Sequence, residues 1–358
     1  MRLLVLTRFD RLGASSRLRM LQYFPWFEQA GINVEHHGLL GNEYIQRMYG
    51  GGRRISLAIC KSYVRRAIDL FRSRKFDVVL LEKEGLPWLP AWIELSLISK
   101  RTRLIVDLDD AQFHRYDRHS NWLVRRFLGR KIDRVIRRSD IATVGTGYLE
   151  ERALAAQCRR VEVVPTVVNL DRYQSATGAG EARERVTIGW IGSPATAFFL
   201  AEITEPLRQL SARYSIRCIA IGARTDQVSG TPFVAVPWSE ESEVESLMSL
   251  DIGIMPISDG PWERGKCGYK LIQYMACGIP VVASAVGANM EIVREGENGL
   301  LVRSNDEWCA ALERLISNRD IRIAMGRAGR RRVAEWFSLQ VQGPRMTEII
   351  CSAAPGAN

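Results

Sequence analysis

The stretch RGKCGYKLIQYMACGIPVVAS, running from Arg264 to Ser284, sets two glycines and two lysines around the start of a helical pattern. Tyr269, Ile272, Met275 and Ala276 recur at helical spacing, and Gly278 stands where a helix ends on a left-handed residue. Ile279 to Ala283 is then a short apolar run of the kind that forms a buried parallel strand. A loop that opens a helix presents unpaired N–H groups and the positive end of the helix dipole, so its natural chemistry is anion binding. A second group lies in RLIVDLDDAQFHRYD, where Asp107, Asp109 and Asp110 close an apolar strand. Carboxyl ends of strands are where doubly wound sheets hold ligands. Alternation along the strand sends Asp107 and Asp109 to one side and Asp110 to the other. A loop-capping acidic turn is the alternative reading of these residues. His114 follows a few residues later, while His36 and His37 lie past the apolar part of a strand and read as surface.

The elements that must position these groups alternate along the chain. LLVLT (3–7), INVEHHGLL, DVVLLEK (77–83), RLIVDLDD (103–110), IATVGT (141–146) and VEVVPTVV (161–168) read as strands with helices between. Leu18 to Ala30 reads as an amphipathic helix closed by Gly31, with Pro25 inside it as a kink. A polar, glycine-containing stretch, 171–185, reads as a linker. VTIGWIGS restarts the alternation, followed by IRCIAIGA, DIGIMPI, PVVASA and GLLV. The pattern predicts an α/β chain of two doubly wound, mostly parallel sheets, domains 1–170 and 186–337, with a cleft between them. The last helical region, about 338–358, is expected to cross back onto the first domain.

Composition sets the outer limits. A chain of 358 residues fits two α/β domains of roughly 150 residues each. The 46% hydrophobic and 25% charged content is that of a globular protein, which excludes a fibrous or disordered chain. A net charge of +10 favours anionic partners. Seven dispersed cysteines lack metal-ligand spacing and fit a reducing, cytoplasmic setting without a disulfide framework. No apolar run reaches the roughly twenty residues of a spanning helix. The basic segments 61–75 and 114–138 interleave cations with apolar residues and fit an anionic membrane face or a helix packed on the sheet. No nucleic-acid module accompanies the charge.

GKCGYKLIQYMACGIPVVASAVGANMEIVREGENGLLV resembles the donor-binding signature of family-4 retaining glycosyltransferases. VEVVPTVVNLDRY, VTIGWIGSPAT and GASSRLRMLQYFPWFEQAGINV are similar to that family's end of the first domain, start of the second domain and first helix. The resemblance implies the GT-B fold, two Rossmann-like domains facing a cleft, and sugar transfer from a nucleoside diphosphate with retention. It departs from the family at its glutamate pair: Gly265 and Gln273 stand at the two positions, and Glu263 is out of register. What the resemblance implies for the donor is contact by Gly13, Gly192, Arg264, Gly265, Lys266, Cys267, Gly268, Lys270 and Gln273, the last at the ribose through its amide. Arg17 and Arg19 become acceptor or phosphate contacts, or simply an exposed basic helix start. Asp109 and Asp110 occupy the place of a family His-Asp pair near the sugar and, with Lys270, are the catalytic candidates. No metal or other cofactor is implied. The partners are a nucleotide sugar and a saccharide or lipid-linked acceptor, in bacterial surface polysaccharide or lipopolysaccharide synthesis. An epimerase of the same fold and a non-catalytic nucleotide-sugar binder are the alternatives.

Overall fold

The computed structural model describes residues 1–49, 56–173 and 185–354. Most of the stretch expected to be a linker, 171–185, and the end of the C-terminal stretch, 338–358, lie outside the described residues. Two compact units emerge: one holds residues 1–166, Gly265–Cys267 and the C-terminal stretch from Gln342, the other Val167–Arg264 and Gly268–Val341.

The first unit is built on β1 (Arg2–Phe9), β2 (Asn33–Leu40), β3 (Val78–Glu82), β4 (Arg103–Leu108), β5 (Ile141–Val144) and β6 (Val161–Val163). All pairings are parallel, in the order β2-β1-β3-β4-β5-β6. Strands covered on both faces need no alternation, and VVLLE of β3 is buried at every position. The order turns between β1 and β3, so this unit's switch point lies beyond Phe9 and Glu82.

The second unit is built on β7 (Val186–Ile191), β8 (Ile216–Ile221), β9 (Phe233–Val236), β10 (Ile252–Met255), β11 (Val281–Ser284) and β12 (Gly299–Val302). Its order is β12-β11-β10-β7-β8-β9, again wholly parallel, with the turn between β7 and β10. Renumbered within the unit, that is the Rossmann order. Both halves are thus the doubly wound sheets that the alternation of apolar runs predicts.

Three local expectations change. The first helical region starts earlier, at Ala14–Arg19, breaks in a three-residue 3-10 turn at Leu21–Tyr23 and resumes as Phe24–Gln29. Pro25 sits in the first turn of that last helix, where its missing N–H costs nothing, so it opens a helix instead of kinking one. β4 stops at Leu108, so Asp109 and Asp110 leave the pleat and alternation does not govern them. His36 and His37 lie within β2 and are half-buried: His36 Nε2 is 2.7 Å from Thr7 Oγ1, and His37 Nδ1 is 2.8 Å from Asp69.

Candidate functional site

In the second unit β7 and β10 pair only at Ile188–Ile252 and Gly189–Gly253 and then part company. Tyr274 fills the gap. Its hydroxyl accepts from the Ile191 N–H at 2.9 Å and donates to the Ile254 carbonyl at 3.2 Å, satisfying two strand-end groups that would otherwise be orphaned. Its ring lies where a Cβ on residue 253 would be, which is why β10 carries glycine there. Burial pushes the Tyr274 phenol above its ordinary range, so it stays a neutral bridge. The helix Tyr269–Ala276 is thereby pinned to the switch point, and it carries Lys270 and Gln273.

The helix opens on Gly268, whose φ of +62° favours glycine and whose Cβ would run into Ile292. Lys270 Nζ lies 5.5 Å from the centre of the Trp190 indole, and a Cβ at Gly192 would come within 2.8 Å of Lys270 Cε and closer still to that indole. Gly192 therefore leaves room for a cation resting on an aromatic face at the carboxyl end of β7. Gln273 is buried beside Tyr173, and its Nε2 meets no acceptor in good hydrogen-bond geometry among the described residues, the Tyr173 hydroxyl being its neighbour. A buried amide donor without an acceptor is costly, and it marks Gln273 as a residue placed for more than packing. Arg264 is exposed and makes two bonds to Asp259, at 2.6 and 3.0 Å. Gly265, Lys266 and Cys267 group with the first unit, so the expected donor set is divided between the units.

In the first unit the same topological position is filled with charge. Lys83, at a φ of +62° just past β3, puts its ammonium 2.7 Å from Asp109 and 3.0 Å from Asp110. Burial alone would raise the Asp109 carboxyl, but Lys83 overrides it and holds it below the usual range. Glu82, fully buried, accepts from the Arg8 N–H at 2.8 Å and the Ser16 hydroxyl at 2.6 Å, yet burial still raises its carboxyl above the usual range. Asp109 and Asp110 thus come together as two carboxylates gripped by one lysine that the sequence reading did not single out. The signal was present: EKEG, three charges and a glycine, directly after a buried apolar run.

Arg19 corrects the sequence expectation. It is neither an exposed helix start nor open to a ligand: Nε and Nη2 bind the two oxygens of Asp107 at 3.0 and 2.6 Å, and Nη1 binds the Val164 carbonyl at 2.6 Å. Asp107 also accepts from Thr143 at 2.6 Å, so this carboxylate belongs to the fold. Arg17 is half-buried and donates to the Arg11 carbonyl at 3.1 Å. Gly13 caps Ala14–Arg19, and a Cβ there would collide with the Phe9 side chain, so packing by itself asks for glycine. His114 is buried, with Nδ1 2.8 Å from Asp117 and Nε2 2.8 Å from the Tyr148 hydroxyl. No cluster of metal-ligating residues occurs among the described residues.

Residues 186–318, the greater part of the second unit, match the family model for glycosyl transferases group 1. The two units together have the GT-B fold. The chain is similar to Anabaena HepE in a structure holding UDP and glucose, with 15% identity, a TM-score of 0.70, and 98% of this chain and all of that one covered. It is 25% identical over 281 residues to the GDP-mannose-dependent alpha-(1-6)-phosphatidylinositol monomannoside mannosyltransferase of Mycobacterium tuberculosis, 71% of each chain. It is 30% identical over 164 residues to the D-inositol 3-phosphate glycosyltransferase of a Nocardioides species, 44% of this chain. The matched stretch spans about a third, 32%, of that relative's length.

Proposed function

We propose that the chain is a metal-independent retaining glycosyltransferase that moves a sugar from a nucleoside diphosphate to an acceptor hydroxyl. The observation that carries this reading is the second unit's switch point, where Tyr274 pins a helix bearing Lys270 and Gln273 beside Gly192. That segment matches the glycosyl transferases group 1 model, and the relatives' names include a GDP-mannose donor and a UDP complex. Loss of the diphosphate is the hard step, so the largest catalytic contribution is electrostatic: a cation and oriented dipoles aimed at the leaving phosphates. Lys270 supplies the cation. Gln273 directs a buried amide N–H that a ribose oxygen satisfies. Asp109 and Asp110, fixed by Lys83, are the carboxylates nearest in role to a contact with the transferred sugar.

The setting proposed is assembly of a bacterial surface polysaccharide or lipopolysaccharide on a lipid-linked acceptor, on the cytoplasmic side of an anionic membrane. The helix Ser56–Arg72 supports the membrane part: Leu57, Val64, Ile68 and Phe71 lie on one face and are exposed, with Lys61 and Arg65 among them. Trp122, Leu123 and Phe127 are exposed on Trp122–Leu128, next to Arg125 and Arg126. No helix among the described residues is long and apolar enough to cross a membrane.

Calorimetry of UDP, GDP, ADP and their sugar conjugates without metal, followed by product analysis with and without a saccharide acceptor, tests the reading. The expected result is selective binding of one nucleotide and turnover only with an acceptor. Turnover without acceptor would make the chain an epimerase. Tight binding with no product under any condition would make it a binder, the reading that the absence of carboxylates at Gly265 and Gln273 favours.

A further inference from the structure

The helix Tyr269–Ala276, which carries Lys270 and Gln273, is pinned to the strand ends by its own Tyr274. It also meets the helix Arg319–Trp336, at the run GRAGR, 326–330. A Cβ at Gly326 would overlap the Gly278 carbonyl, and one at Gly329 would come within 2.9 Å of Met275 Cγ. The two segments therefore run closer than side chains would allow, which is the use of glycine at both positions.

At the end of Tyr269–Ala276 one carbonyl is left over. Those of Gln273, Tyr274 and Met275 accept from the N–H groups of residues 277–279. The Ala276 carbonyl accepts from Arg330 Nη1, and Arg330 Nη2 donates to the Tyr173 carbonyl at 3.0 Å. A cation at a helix C-terminus suits the dipole, but this one also reaches a second segment, since Tyr173 ends the 3-10 turn Leu170–Tyr173. Ala276 stands three residues after Gln273, so one planar guanidinium sets the backbone of Tyr173 within a helical turn of Gln273.

The side chains complete the arrangement. Tyr173 and Gln273 are both buried, and among the described residues neither the Tyr173 hydroxyl nor Gln273 Nε2 meets a partner in good geometry. An amide nitrogen carries two N–H donors, so one turned to the neighbouring Tyr173 oxygen leaves the other for a ligand. Where the amide points then depends on where Tyr173 is held.

We propose that Arg330 is a positioning residue for nucleotide recognition: by bridging the Ala276 and Tyr173 carbonyls it fixes the Tyr173 hydroxyl against the Gln273 amide, and so aims that amide at the ribose. Arg330 acts through the pair and not on the ligand. The ribose rests on the donor reading above, whereas the bridge does not.

The test is calorimetry on the full chain with UDP and GDP and with their 2′-deoxy counterparts, on the wild type, Arg330→Gln, Arg330→Lys and Tyr173→Phe, with thermal melting in parallel. The readout is the ratio of dissociation constants, deoxyribose over ribose, which a general loosening of the fold does not move. The expected wild-type preference for ribose is about threefold to tenfold, the worth of one hydrogen bond. Arg330→Gln and Tyr173→Phe should lose it, and Arg330→Lys, which lacks the fork, should keep only part. Tyr173→Phe keeps the ring, so with Arg330→Lys it decides the matter if Arg330→Gln does not fold. Full preference in folded Arg330→Gln, or in both Arg330→Lys and Tyr173→Phe, overturns the proposal and leaves the donor reading standing. A wild type that binds nucleotide without favouring ribose overturns it as well. A wild type that binds neither nucleotide overturns it together with the donor reading.

Discussion

The two switch points of this chain solve one topological problem with opposite chemistry. In the first unit the parting strands are closed by ions: Lys83 with Asp109 and Asp110, Arg19 with Asp107, Lys131 with Glu84 and Glu94. In the second they are closed by one neutral phenol, with glycines at 189, 192 and 253 making room for larger neighbours. A charged closure needs every partner, because a buried ion without its mate costs several kcal/mol. A neutral closure brings no buried ion with it, which suits the nucleotide site proposed for this unit. The comparison predicts that the first unit breaks by loss of a partner and the second by loss of shape.

The largest effect expected is at Arg19. Arg19→Ala leaves the buried Asp107 carboxylate with Thr143 as its remaining side-chain partner and frees the Val164 carbonyl. Chemical denaturation should show a loss of about 3–5 kcal/mol, whereas Arg17→Ala, which removes one bond to a loop carbonyl, should cost under about 1 kcal/mol. Equal losses at the two positions would end the distinction between a structural and a peripheral arginine.

Next comes Glu94, whose carboxyl burial lifts to about 7 from an ordinary 4.5 despite Lys131 at 3.5 Å. A carboxyl with a raised folded pKa binds its proton more tightly in the folded state, so the fold loses stability as pH rises from about 4.5 to about 7. Above that the cost is fully present; below 4.5 it vanishes. Glu94→Gln keeps an oxygen to accept from the Leu86 N–H, which lies 2.6 Å from the native carboxylate. The difference in stability between variant and wild type should move in the variant's favour by on the order of 2–3 kcal/mol between pH 4.5 and pH 8. A flat difference across that range would mean that Lys131 keeps Glu94 charged throughout.

The same contrast decides what the sequence could tell. Buried parallel strands announce themselves, because a strand covered on both faces is a continuous apolar run, and VVLLE and IGIM needed no partner to be recognised. The helix bearing Lys270 and the left-handed glycine past its end, Gly278, were legible for the same local reason: spacing and punctuation lie within ten residues. Arg19 and Asp107 are 88 positions apart, and nothing local distinguishes an arginine destined for burial from one on a solvated face. A lysine after a strand usually means a turn and a tyrosine in an apolar helix usually means core, so local pattern does not reveal what Lys83 and Tyr274 do. In each case the role depends on strand order, which periodicity does not encode.

Shape is tested by two changes of intermediate size. Tyr274→Phe keeps the ring and removes the hydroxyl between Ile191 and Ile254, leaving a strand N–H and a carbonyl unpaired at a cost of about 1–3 kcal/mol. Gly253→Ala pushes a methyl into the Tyr274 ring, an overpacking of about 1–3 kcal/mol that should also loosen the helix carrying Lys270. Nucleotide binding is expected to fall in both variants in proportion to the stability lost. A variant that loses stability with unchanged nucleotide affinity would separate the Tyr274 bridge from the binding site.

The smallest effect on folding and the most selective effect on function belong to Lys270. Its ammonium rests on the Trp190 face at the mouth of β7, a contact worth about 0.5–1 kcal/mol at an accessible position. Lys270→Ala should therefore change the melting temperature little. If the ammonium meets the donor's diphosphate, the charge-assisted bond it provides is worth about 1.5–3 kcal/mol, so nucleotide affinity should drop by about tenfold or more at unchanged stability. Lys270→Arg, which keeps the charge but enlarges the head group in a space that Gly192 barely opens, should recover only part of it. Full nucleotide affinity in a folded Lys270→Ala protein would remove the lysine from the site and leave Gln273, with its buried unpaired amide, as the residue on which the donor reading of this unit would have to rest.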